Sequence, residues 1–304
     1  MDEQTPTAES IRPAPAAPRK GAGKPSSSES VRAGGGLRIT DAQIHMWRDG
    51  KPSTHQRQLP FPPELLLQEM DQAGVSSAVL VPPSWDPNGN APSNALAEQH
   101  PDKFQVMGRL DLDKSNARDA IANLAATRHM LGFRIMFTTP QRRDWLKDGK
   151  ADLLWREAER ANVPLMVHVP NDLDTLHNIA QRHPGLRLVI DHLGVPPNHP
   201  GTNASMNHIP SLVKLAGLPN VAVKATGVAG YSREAYPYRN LHEPLHRVFD
   251  AFGPARMFWG ADLTRMSCSY SQCISLFTEE LPWLSETDQK LVMGAGVRNW
   301  LGWR

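Results

Sequence analysis

Gln43, His45, Asp111, Arg134, His168, Asp191, His192, Lys224 and Asp262 stand at or just past the ends of short apolar runs in this 304-residue sequence. Polar and titratable residues in that position, repeated along a chain, point to one shared pocket rather than to scattered surface. The chemistry such a set supports is hydrolysis of a polarised carbonyl. Two imidazoles and a carboxylate make a three-ligand zinc site with a position left for water. The metal lowers the pKa of that water and polarises the carbonyl. The carboxylate after the last run, Asp262, takes the proton as the water attacks. Arg134 can grip a substrate carboxylate through two parallel hydrogen bonds.

Each residue also has a structural reading. A strand-end histidine can be a hydrogen-bonded core residue. Arg134 can form a structural ion pair, and Asp191 can cap the turn that follows it.

The elements that must position these groups are strands alternating with helices. Strand-like runs are expected at Arg38–His45, Ser77–Val81, Phe104–Leu110, Gly132–Phe137, Pro164–Val169, Leu186–Asp191, Val221–Ala225 and Arg256–Gly260. Between them lie helical stripes, of which Leu241, Leu245, Val248, Phe249 and Phe252 give the clearest. Pro62-Pro63 opens one helix and Gly74 closes it, while Ser285-Glu286-Thr287-Asp288 resembles a capping box. Successive strands are roughly 25–40 residues apart, the spacing of parallel strands joined by helical crossovers. The expected fold is therefore α/β, a (β/α)8 TIM barrel over residues 37–304. A doubly wound open sheet is the alternative, and neither Gly-x-Gly-x-x-Gly after the first strand nor Gly-x-x-x-x-Gly-Lys supports it. In the first strand, alternation places Ile39, Asp41, Gln43 and His45 on one face.

Residues 1–36 differ in kind. Five prolines alternate with Ser, Ala, Gly and scattered charges, which predicts a disordered N-terminal tail without a secretory leader. Such an arm could pack on a partner subunit, so a homo-oligomer stays open. A net charge of +2 argues against nucleic acid or an anionic membrane as a partner. No apolar run is long enough to span a bilayer. Two cysteines, Cys268 and Cys273, make neither a disulfide framework nor a structural zinc site, so a reducing, cytoplasmic setting is expected.

Asp41-Ala42-Gln43-Ile44-His45-Met46-Trp47, Gly132-Phe133-Arg134, Val167-His168, Val189-Ile190-Asp191-His192-Leu193-Gly194, Val223-Lys224-Ala225-Thr226-Gly227 and Phe258-Trp259-Gly260-Ala261-Asp262 resemble the amidohydrolase superfamily. The likeness is to its branch of lactonases and decarboxylases, and it runs from about Ile39 to the C-terminus. It implies His45 and His168 as metal ligands, with Asp262 both a ligand and the catalytic acid that activates water. It implies for His192 a metal-ligand or substrate-contact role; His168 and His192 are expected to be catalytic beside Asp262, and Arg134, Lys224 and Arg265 are the residues expected to contact a substrate carboxylate. The implied activity is opening of a lactone or similar cyclic ester of a small, carboxylated metabolite. Metal-dependent decarboxylation of an aromatic or muconate-type acid, and a binding barrel without turnover, are the alternatives.

Two departures from the family pattern stand out. Gln43 replaces the first histidine of His-x-His, and an amide oxygen is a far poorer zinc ligand than imidazole. One divalent metal, zinc first, is therefore expected side by side with metal-free catalysis, in which Gln43, His45 and His168 polarise the carbonyl by hydrogen bonding. The second is Ala261-Asp262-Leu263-Thr264-Arg265, where the family more often shows Ser-Asp-Trp-Pro.

Overall fold

The apolar runs become eight parallel strands in the computed structural model, which describes residues 36–303 except Asn198 and Pro200. They are β1 (Ile39–Ile44), β2 (Val75–Leu80), β3 (Phe104–Arg109), β4 (Met130–Met136), β5 (Leu165–His168), β6 (Leu188–Ile190), β7 (Val221–Thr226) and β8 (Met257–Gly260). Each pairs with the next in sequence order, as a (β/α)8 barrel requires. Each strand is followed by helix, beginning with α1 (Pro63–Ala73), α2 (Ala91–Gln99) and α3 (Ala117–Ala122). The ring continues with α4 (Pro140–Asp144), α5 (Asp152–Arg160), α6 (Leu173–Arg182), α7 (Ile209–Lys214) and α8 (His242–Phe252). It ends with α9 (Tyr270–Thr278), α10 (Glu286–Lys290) and α11 (Gly296–Leu301). The tail expected over residues 1–36 falls, but for Gly36, outside the described residues.

The core has two shells, as alternating strand side chains dictate. Ala42, Val79, Met107, Met166, Val189 and Phe258 fill the barrel. Leu165, Leu188 and Val221 face outward against helix residues such as Leu154, Leu176 and Leu245.

The seam between β8 and β1 is closed by side chains as well as backbone. Asp262 N–H donates to Gln43 O at 3.2 Å, and Ala261 N–H donates to the Asp41 carboxylate at 3.0 Å. Gly260 sits in this seam; a Cβ there would come within 2.6 Å of Thr226 Cγ2 and 2.9 Å of Asp41 Oδ1. The β1–β2 register shifts between Asp41 and Ile44. This bulge corrects the expectation that Asp41, Gln43 and His45 share a face. Ala42 already packs inside the barrel and Gln43 also reaches inward, whereas Asp41 meets Tyr270 of α9. A one-residue irregularity overrides simple alternation.

Strand ends lie within a few residues of those expected. Helices α4, α7 and α9 were not anticipated, although Ser269 and Gln272 form a full capping box at the start of α9. The anticipated box at Ser285 is present.

Candidate active site

At the C-terminal end of the barrel, Gln43 on β1 and His45 just past it meet residues on or just past β4, β6, β7 and β8. Lys224, fully buried on β7, donates to Gln43 Oε1 at 2.6 Å and lies 2.8 Å from Asp191 Oδ1. Arg134 Nε donates to the other Asp191 oxygen at 2.6 Å. Asp191 therefore bridges two cations instead of capping a turn. Burial alone would raise its pKa, but Lys224 and Arg134 outweigh it and hold the group at about 2.

With Gln43 Oε1 occupied, its Nε2 faces the histidines. It lies 3.1 Å from His192 Nε2 and 3.4 Å from His45 Nε2. Arg134 Nη2 also approaches His192 Nε2, at 3.3 Å. Both neighbours are donors, so His192 Nε2 accepts and Nδ1 carries the proton, donated to Thr226 Oγ1 at 2.8 Å. His45 Nδ1–H donates to Val81 O at 2.6 Å, which turns the Nε2 lone pair toward Asp262. His168 Nε2–H donates to Val195 O at 2.9 Å, and its ring packs edgewise on His192. Burial pushes His45 and His168 down to about 4, and His192 well down, so all three are neutral near pH 7.

Asp262 follows β8 in a left-handed conformation at φ 48°, and His192 follows β6 at φ 56°. Asp262 Oδ2 accepts from Arg265 at 3.2 Å. Its Oδ1 is buried without a hydrogen-bond partner, 3.4 Å from His45 Nε2. Burial works against ionisation, yet the Arg265 guanidinium, the largest opposing influence, brings the carboxyl well below its ordinary value. The cluster thus holds an ionised carboxylate with one unengaged oxygen.

His45 Nε2 and Asp262 Oδ1 are spaced like two ligands of one zinc, whose tetrahedral neighbours stand roughly 3.3 Å apart. His168 and His192 each keep one unprotonated nitrogen, Nδ1 and Nε2, but neither is placed with His45 and Asp262 to complete a metal site among the described residues. His168 Nε2 is spent on Val195 O and Gln43 Oε1 on Lys224. Among the described residues no three His, Cys, Asp or Glu side chains are placed to hold a metal ion. The expected ligand set His45, His168, Asp262 and Gln43 does not fit a three-ligand site in this arrangement. The same bonds turn His45 and His168 away from donating to a carbonyl, contrary to the hydrogen-bonding expectation.

Of the three expected substrate contacts, Lys224 is sealed inside the barrel and Arg265 is held on Asp262. Arg134 borders a cleft of about 760 Å³ that runs past Arg109, Asp111 and Arg142 to Trp145. Asp111 is exposed, caps its own turn onto Asp113 N–H, and lies outside the cluster. Sequence reading missed Thr226 and Asp41 as supports. Thr226 was legible, being two residues past Lys224 and so on the same strand face.

A (β/α)8 barrel with an imidazole–carboxylate cluster at its strand ends defines the class. A family model described as amidohydrolase matches residues 40–295, and the chain belongs to that family. It is 33% identical over 168 residues to L-fucono-1,5-lactonase of Burkholderia ambifaria, covering 52% of this chain and 54% of that protein. The chain thus matches about half the length of that relative. It is 33% identical over 91 residues to 4-sulfomuconolactone hydrolase of Hydrogenophaga intermedia, 29% of each chain. A Burkholderia multivorans amidohydrolase solved with HEPES superposes with a TM-score of 0.75 at 21% identity, over 87% of this chain and 99% of that one. The same protein solved with zinc gives 0.74 at 21% identity, with the same coverage. Among the described residues no helix is long and apolar enough to cross a membrane.

Proposed function

We propose that this protein is a hydrolase that opens a lactone or similar cyclic ester of a small, carboxylated metabolite. The observation that carries the reading is Asp262: buried, ionised, and with Oδ1 unengaged beside the neutral His45. A water bonded to Oδ1 gives up a proton to it while attacking the ester carbonyl. The Gln43 amide, whose 3.4 Å contact to His45 is weak, and the free face of Arg134 supply N–H donors to the developing oxyanion. Asp262 then returns the proton to the departing ring oxygen, and the ring C–O bond breaks to leave a hydroxy acid. Lys224 and Asp191 hold Gln43 and Arg134 in place. Arg134, Arg109 and Arg142 along the cleft favour a substrate that carries a carboxylate. Two lactone-opening relatives support the ring-opening reading. The decarboxylase alternative calls for a metal-held carboxylate, and engagement of the third donor elsewhere favours the hydrolase.

The test is Asp262→Asn on a panel of neutral and carboxylated lactones that includes L-fucono-1,5-lactone. The expected result is a loss of kcat/KM of about 10²–10⁴-fold in a folded variant. Full activity would overturn the assignment.

A further inference from the structure

We propose that Cys268 and Cys273 form a reversible oxidation site, in which a peroxide converts the pair to a disulfide that fastens the Asp262-bearing segment to α9.

The placement follows from helix capping. Ser269 is the N-cap of α9 and its capping box with Gln272 is complete. Cys268 is then the residue before the cap and Cys273 the fourth helical residue, the two positions a hydrophobic staple brings together. Their sulfurs lie 3.5 Å apart. A disulfide needs about 2.05 Å. Rotation of the two side chains within an already formed contact supplies the approach.

The two thiols are unlike. Cys268 is half-buried and within reach of a small oxidant, and Cys273 is buried. Cys268 Sγ and Cys273 Sγ share a hydrogen bond that either thiol can donate, and the Tyr238 hydroxyl is a further neighbour that favours a Cys268 thiolate. The first of these, helped by the second, brings Cys268 down to about 6 against burial, while Cys273 is pushed up. Cys268 is the attacking thiolate and Cys273 the resolving thiol.

The steps balance. The Cys268 thiolate attacks hydrogen peroxide; an S–O bond forms, the O–O bond breaks, and the departing hydroxide leaves as water after taking a proton. The resulting sulfenic acid is attacked by Cys273 sulfur. The S–S bond forms, the S–O bond breaks, and the Cys273 proton departs with the oxygen as a second water. Two electrons pass from the sulfurs to the peroxide.

The consequence lies in what the pair joins. Cys268 ends the segment that carries Asp262 and Arg265. The Cys273 carbonyl accepts from Trp259 Nε1 at 3.1 Å, and Tyr270 OH donates to Asp41 at 2.7 Å, so the start of α9 is anchored to the barrel seam.

The full-length protein is treated with hydrogen peroxide, quenched and digested with trypsin. Both cysteines fall in the single peptide Met266–Lys290, and the chain has no others. The expected result is loss of two hydrogens from that peptide, reversed by dithiothreitol. In Cys273→Ser the expected product is a Cys268 sulfenic acid trapped by dimedone. Tyr238→Phe should slow disulfide formation several-fold. Two free thiols, a bridge between chains, or direct passage of Cys268 to sulfinic acid in the native protein would each overturn the proposal. None of these readouts depends on the lactonase reading.

Discussion

Lys224 Nζ lies 2.6 Å from Gln43 Oε1, so the amide oxygen expected to be a weak metal ligand is bound instead to a buried ammonium. The amide is fixed in one orientation by this bond, with its N–H groups toward His45 and His192.

Gln43→His should restore a third nitrogen beside His45 Nε2 and Asp262 Oδ1. Zinc retained after dialysis, measured by elemental analysis, is expected to rise in this variant above the wild type. Equal metal content in the two proteins would show that the amide is not what weakens the site.

Lys224 has no access to solvent, and its loss leaves Asp191 with Arg134 alone. Lys224→Met should destabilise the barrel by about 3–5 kcal/mol, a drop in Tm of about 10 °C by calorimetry. The double variant with Asp191→Asn should lose more, because the buried Arg134 guanidinium then has no carboxylate partner.

Much of this was legible beforehand. Strand order, the barrel and the residues at its rim follow from apolar runs, proline and glycine punctuation, and the positions of His45, His168, Arg134, Lys224 and Asp262. What those residues do to one another was not. Which nitrogen of His168 is spent on Val195 O, and which oxygen of Gln43 meets Lys224, depend on distances between strands far apart in sequence. The bulge after Asp41 escaped for a similar reason: its stabilising partners are Ala261 and Tyr270, at the other end of the chain.

Asp41 sets a pH dependence of stability. Burial raises its pKa from 3.8 to about 7, although Gln43 N–H, Tyr270 OH and Ala261 N–H all favour the charged form and nearby Asp262 opposes it. The folded protein then holds a proton that the unfolded chain releases, so the contribution is complete below pH 3.8 and is lost as pH rises through about 7. His45 and His168, neutral when folded, act in the opposite sense as pH falls toward 4. The Asp41→Asn variant isolates the first effect. Its Tm relative to wild type should rise between pH 5 and 8; a constant difference would contradict the shift.

Thr226 Oγ1 accepts the His192 Nδ1 proton and so fixes which nitrogen faces Gln43 and Arg134. Thr226→Val should lower kcat on the lactone substrate about tenfold with KM little changed, the cost of one lost hydrogen bond. A variant with unaltered kcat would remove Thr226 from the list of positioning residues.

The left-handed backbone at His192 and Asp262 limits how this scaffold can be re-engineered. Asn, Asp, His and Gly accept that conformation readily, whereas β-branched and bulky residues pay for it. Saturation libraries at these two positions would therefore be filtered by main-chain geometry before any chemistry is selected. New activities are best sought along the cleft wall at Arg109, Arg142 and Trp145, where no such filter operates.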